Sequence, residues 1–107
     1  MEQLRFLTED QVRRLQAEFG TPLFVYDQAS LERQAAVAHG FPAPFGLTVR
    51  YAMKACPSAA VLRVLTGAGL HIDASSGWEV RRAITAGVPA ERILLPAQQT
   101  PADLAAL

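Results

Sequence analysis

Apolar residues recur along this chain at two alternating spacings. From Thr8 the spacing is helical: Thr8-Glu-Asp-Gln11 forms a capping box, and Val12, Leu15 and Phe19 share one face until Gly20 ends the run. Thr21-Pro-Leu-Phe-Val-Tyr26 predicts a short strand. Asp27 can cap a second helix with Leu31, Ala35 and Ala38 on one face, and His39 suits its carboxyl end before Gly40. After the loop Phe41-Pro-Ala-Pro-Phe-Gly46, β-branched and aromatic residues predict a strand over 47–53. A helix over 57–66 follows, with Pro57 in its first position. Then come a strand over 70–74, a helix over 77–86, a strand over 93–95 and a helix from 101 onward. The strand centres Tyr51, Ile72 and Leu94 lie 21 and 22 residues apart with a helix in each gap, which implies parallel βα units of an α/β fold rather than hairpins.

Composition narrows the class. Half of the 107 residues are hydrophobic and 19% are charged, which suits a folded domain. The formal charge of +0 leaves no basic footprint for nucleic acid and no polybasic membrane patch. No apolar run approaches the roughly 20 residues of a membrane span, and Met1-Glu-Gln-Leu-Arg5 lacks the apolar core of a signal peptide. Cys56 is the single cysteine, so no intrachain disulfide is available. A cytoplasmic protein is expected. Thr100-Pro-Ala-Asp103 opens a helix well, whereas Leu104-Ala-Ala-Leu107 carries no stop signal. Together with the uncovered edges of so small a parallel sheet, this predicts an N-terminal piece of a larger α/β protein, 1–20 being a helical segment and 21–107 about three βα units.

The chemistry centres on Lys54, the only lysine among ten basic residues. It stands where a strand passes into a helix, the end at which α/β folds gather catalytic groups. A partly desolvated lysine there can lose its proton and form a Schiff base with a carbonyl; the alternative is an ordinary surface lysine. Asp73 ends the second predicted strand and by itself reads as a loop aspartate bonding to nearby backbone N–H groups. Ser76-Gly-Trp-Glu79 is a capping box in which Glu79 reaches back to the Ser76 N–H. Cys56 reads as a small buried residue and Trp78 as packing on its helix. His71 alternates with Leu70 and Ile72, facing either the helices or the opposite side of the sheet. Two histidines and one cysteine give no metal-ligand spacing. Gly67 and Gly69 lie between a helix and a strand, the reverse of the order that cradles phosphate, and read as a helix stop and a turn.

Tyr51-Ala-Met-Lys-Ala-Cys-Pro57, then Val61-Leu-Arg-Val-Leu65, then Gly69-Leu-His-Ile-Asp-Ala-Ser-Ser-Gly-Trp-Glu-Val80 resemble the fold-type III pyridoxal-phosphate decarboxylases, most closely the diaminopimelate decarboxylase branch. Gly20-Thr-Pro-Leu-Phe-Val-Tyr-Asp27 and Ala86-Gly-Val-Pro-Ala-Glu-Arg-Ile93 are similar to further family segments, so the likeness runs over residues 20–97. Cys56 departs from the family's more usual asparagine, and Gln98-Gln-Thr100 from its lysine or asparagine.

The resemblance implies the first βα units of an alanine-racemase-like (β/α)₈ barrel that carries the cofactor, followed in the family by a β-domain, with the active site at a homodimer interface. It implies pyridoxal 5'-phosphate as cofactor, an amino acid as small-molecule substrate, and meso-diaminopimelate converted to lysine as the reaction. Lys54 would be the Schiff-base lysine, and Ala52, Lys54, Asp73 and Glu79 the cofactor-binding set, although the helix cap accounts for Glu79 without chemistry. The family's phosphate loop, pyridine-nitrogen glutamate and stacking ring match nothing in residues 1–107, so the chain is expected to be inactive by itself. The alternatives are an ornithine, arginine or alanine-racemase type of enzyme, or a non-catalytic remnant that handles the cofactor or pairs through exposed strand edges.

Overall fold

The computed structural model describes residues 5–96 and 99–107; the sequence readings at residues 1–4 and at Gln98 lie outside that range. Its centre is a parallel sheet of three strands in the order β1 (Arg50–Ala52), β2 (His71–Asp73) and β3 (Ile93–Leu94). Arg50 is in register with His71, Ala52 with Asp73, and Asp73 with Leu94. Helices α1 (Glu9–Phe19) and α2 (Gln28–His39) precede the sheet, α3 (Ala59–Gly67) joins β1 to β2, and α4 (Gly77–Thr85) joins β2 to β3.

Side-chain alternation decides which face of the sheet is covered. Ile72 and Ala74 are fully buried with Met53, Leu62, Val80, Ala83, Ala86 and Val88, joined by the half-buried Ile93 and Leu95. Leu70 is buried with Ala35 of α2 and with Val61 and Leu65 of α3, and Val49 packs beside them. Tyr51 packs against both groups. Odd positions of β1 and even positions of β2 therefore meet the helices. The period of two then puts Arg50, Ala52, His71 and Asp73 on the other face. Leu94, 45% exposed between two packed neighbours, completes that face.

The helix ends follow their capping chemistry. Thr8 Oγ1 accepts from the Gln11 N–H while Gln11 Oε1 accepts from the Thr8 N–H, the capping box read from sequence. Asp27 caps α2 by accepting from the Ser30 N–H at 3.0 Å. His39 closes α2, and its ring lies 3.3 Å from where a Cβ on Gly69 would sit. Gly69 also has φ +93, a backbone conformation that favours glycine, and a Cβ there would sit tightly against that ring. Arg63 Nε donates to the Ala86 carbonyl and an Arg92 Nη to that of Thr66, placing cations at the carboxyl ends of α4 and α3.

Several elements depart from the sequence reading. Residues 21–26 form no strand: they find no ladder partner, and Phe24 is 88% exposed, because β-propensity alone does not supply a neighbouring strand. The strand over 47–53 contracts to Arg50–Ala52, since Met53 already opens a 3₁₀ turn, Met53–Ala55. Pro57 lies before α3 rather than in its first turn. The helix from 101 is a single 3₁₀ turn, Leu104–Ala106, whose bonds close at three residues; Asp103 is drawn aside to Arg81 of α4. Trp78 is 80% exposed instead of packed: at about 100° per residue it stands some 200° from the buried Val80, and the Arg81 guanidinium lies over its ring at 5.7 Å. Helix α1 buries none of its side chains; Val12 and Leu15 line a groove of about 300 Å³ with Leu7, Leu23 and Val25.

Candidate functional site

The uncovered face of the sheet gathers the polar residues that the helices cannot accept. Arg50 and His71 form one row across β1 and β2, and Ala52, Asp73 and Leu94 form the next row toward the carboxyl ends of the strands. Lys54 follows two residues beyond Ala52, exposed, within the 3₁₀ turn. Neighbouring strands lie about 4.8 Å apart, so the aspartate and the small alanine share one end of one face, and the lysine turn follows at the same end of β1. Among the described residues Lys54 makes no ion pair.

The turn that carries Lys54 is anchored on both sides. Met53 before it is fully buried. The Tyr51 hydroxyl donates to the Cys56 carbonyl at 3.1 Å, closing the chain over the intervening residues. Burial raises the Tyr51 phenol above its ordinary value. Cys56 is half-buried rather than enclosed, and its thiol donates to the Tyr26 hydroxyl at 3.3 Å. That contact, with the negative charge the sulfur can carry, raises the Tyr26 phenol as well.

Glu79 is placed differently from the reading of its capping box. Its carboxylate accepts from both the N–H and the hydroxyl of Ser75, at 2.6 and 2.9 Å, rather than from the Ser76 N–H. The other half of the box holds, since Ser76 Oγ accepts from the Glu79 N–H at 3.2 Å. Glu79 thus secures the turn that follows Asp73. Sequence reasoning left the side of His71 open; the structure puts it on the uncovered face, with Nδ1 buried and without a hydrogen-bond partner among the described residues. Sequence reasoning missed the roles of Tyr26, Tyr51 and Arg82 altogether. Arg82 reaches the Pro57 carbonyl across 25 residues, and no local pattern signals such a contact.

Comparison with known proteins places this geometry. The family model for the pyridoxal-dependent decarboxylase, pyridoxal binding domain matches residues 28–103, which hold all three strands and the lysine turn. The chain belongs to this family. It is 40% identical over 81 residues to a diaminopimelate decarboxylase of Escherichia coli, a match covering 76% of this chain and 18% of that protein. Diaminopimelate decarboxylases of Streptomyces coelicolor (41% over 71 residues, covering 66% and 15%) and Bacillus subtilis (40% over 85 residues, covering 74% and 18%) are similar. The chain therefore spans less than a fifth of the length of these relatives. Among solved structures, a lysine/ornithine decarboxylase from Vibrio vulnificus complexed with putrescine superposes with a TM-score of 0.73 at 26% identity, over 89% of this chain and 26% of that one. The three βα-linked strands are consecutive units of that family's barrel.

The donor set on the open face suits a pyridoxal group. A primary amine at the strand end can meet the aldehyde, and a carboxylate stands on the adjoining strand in register with the small Ala52. Barrel interiors are ordinarily filled by branched aliphatic side chains; here Arg50, His71 and Asp73 replace them. The unpartnered Nδ1 of His71 marks the same surface as one built for polar company. Among the described residues no helix is long and apolar enough to cross a membrane, and no group of three acidic, histidine or cysteine side chains could hold a metal.

Proposed function

We propose that this chain supplies the cofactor-holding lysine of a pyridoxal-phosphate-dependent amino-acid decarboxylase, with meso-diaminopimelate as substrate and lysine as product. The observation that carries the reading is the position of Lys54, just past the Ala52–Asp73 row at the carboxyl end of β1, in a chain about 40% identical to diaminopimelate decarboxylases. Pyridoxal phosphate, when bound, supplies an electron sink for the pair left behind as a carboxylate departs as carbon dioxide.

The chain's own residues take separate parts. Lys54 would hold the cofactor through its amine, and the same Nζ could hold or move a proton. Asp73, one strand away, steadies that ammonium. Ala52 leaves the cofactor room, and Glu79 acts through Ser75 to fix the turn after Asp73. Turnover and homodimer formation belong to a protein carrying the rest of the barrel, so the 107-residue chain is expected to bind cofactor without releasing carbon dioxide.

The test is the absorbance spectrum of the purified chain with pyridoxal phosphate, beside Lys54→Ala. A visible band that survives gel filtration, is bleached by borohydride as the cofactor becomes covalently fixed to the chain, and is lost in the variant, is expected. Identical spectra for the two proteins would sink the assignment of Lys54. For the substrate, carbon dioxide release from meso-diaminopimelate should exceed that from ornithine, arginine or lysine in the complete protein; a reversed order would replace it.

A further inference from the structure

Three successive carbonyls after the lysine turn are each taken by a different part of the molecule. The Cys56 carbonyl accepts from the Tyr51 hydroxyl of β1 at 3.1 Å. The Pro57 carbonyl accepts from Arg82 Nε of α4 at 3.0 Å. The Ser58 carbonyl accepts from the Leu62 N–H, the first helical bond of α3, also at 3.0 Å. The Ser58 side chain makes no capping bond, so no side-chain cap secures the start of α3. Its path is set instead by a tyrosine whose ring is wedged between the two buried clusters and by an arginine from the next helix.

We infer that Tyr51 and Arg82 are positioning residues that strap the Lys54 turn in place; the inference rests on Lys54 being the cofactor-holding residue. Lys54 sits between two fixed points, the fully buried Met53 and the Cys56 carbonyl, and its own side chain is left in the open. A group that must meet a carbonyl carbon at bonding distance gains from a backbone that does not wander, since a misplacement of about 1 Å can cost roughly a hundredfold in rate. Arg82 adds a second connection. It stands in the last turn of α4, whose first turn is tied to Ser75 by Glu79, so one helix reaches both the turn after Asp73 and the junction after Lys54.

Three variants test the strap: Tyr51→Phe, which removes only the hydroxyl; Arg82→Leu, which removes the donor from an exposed position; and Arg82→Lys, which keeps a donor. Each is measured for thermal midpoint, for amide hydrogen exchange over residues 53–58 by mass spectrometry, and for the rate at which borohydride traps pyridoxal phosphate on Lys54. Tyr51→Phe and Arg82→Leu should speed exchange in that segment by roughly threefold to tenfold, with α4 unchanged. They should slow trapping by about tenfold at nearly unaltered midpoint, and Arg82→Lys should recover part of both. Unchanged exchange in both variants overturns the strap. Faster exchange with undiminished trapping overturns its role in positioning Lys54. If the unsubstituted protein traps no cofactor, the cofactor reading itself has failed, and exchange alone then decides whether the strap holds the turn.

Discussion

Asp73 stands directly beside Ala52 in the parallel ladder, so its carboxylate lies one strand away from β1 and two residues short of Lys54. The pairing puts an acid on the strand beside the one that leads to the lysine. It also keeps Asp73 off the helix-packed face, where Ile72 and Ala74 on either side are fully buried.

Replacing Asp73 by asparagine should therefore separate chemistry from folding. No packing is lost, so stability should move by no more than about 0.5 kcal/mol in urea denaturation. Borohydride trapping of pyridoxal phosphate on Lys54 near neutral pH should rise several-fold, because the proposed role of Asp73 is to favour the protonated amine, which cannot attack the aldehyde. Trapping equal to that of the unsubstituted protein would remove Asp73 from the site.

Ile72 has no exposed surface and sits in the middle strand between both neighbours of the sheet. Ile72→Val should cost about 0.5–1.5 kcal/mol and Ile72→Ala about 2–5 kcal/mol, since the cavity adds to the lost transfer energy. Chemical denaturation at unchanged slope measures both.

Thr8→Ala removes half of a complete capping box. The expected loss is about 1 kcal/mol, but α1 buries nothing and so is weakly coupled to the core. The change should appear as faster amide exchange in the first turns of α1 while the global midpoint holds. A matching fall in the global midpoint would show that α1 unfolds together with the sheet.

The Asp27 carboxyl is held below its ordinary value of 3.8, first by the Ser30 hydroxyl, then by the Ser30 N–H and the Arg33 guanidinium. A carboxylate with a lowered folded-state value contributes stability that is fully present above its unfolded value. That contribution fades as pH falls through the folded one. The start of α2 should accordingly loosen only in acid, below the ordinary carboxylate range, and Asp27→Asn should flatten this dependence. A carbon-detected titration of the Asp27 carboxyl, expected to have its midpoint below that of an unfolded peptide, checks the sign.

The order of strands and helices around the lysine was legible because the repeat is regular and each unit buries one face. Ile72 was legible as the centre of its strand from the repeat, and Thr8 and Asp27 announced their helices by capping chemistry. Lys54 was legible by its place between a strand and a helix. Residues 21–26 misled because a run of β-formers says nothing about whether a neighbouring strand exists to receive its hydrogen bonds. Trp78 misled because large aromatic rings are usually packed, and only the angle from Val80 shows this one turned outward. The contacts of Tyr51 with Cys56 and of Arg82 with Pro57 depend on where backbone carbonyls come to lie in space, which composition and spacing do not encode.

Every pairing in the sheet joins residues a fixed distance apart in the chain: Arg50 with His71 and Ile72 with Ile93 are each separated by 21 positions. No strand waits for a distant partner, so the loop that must close is the same length at each step and its entropic cost does not grow. During synthesis at about 5–20 residues per second, each strand would leave the ribosome roughly one to four seconds after its neighbour. The lysine turn, flanked by β1 and α3, would be made ahead of both Asp73 and Arg82, and would gain its second connection only when α4 follows.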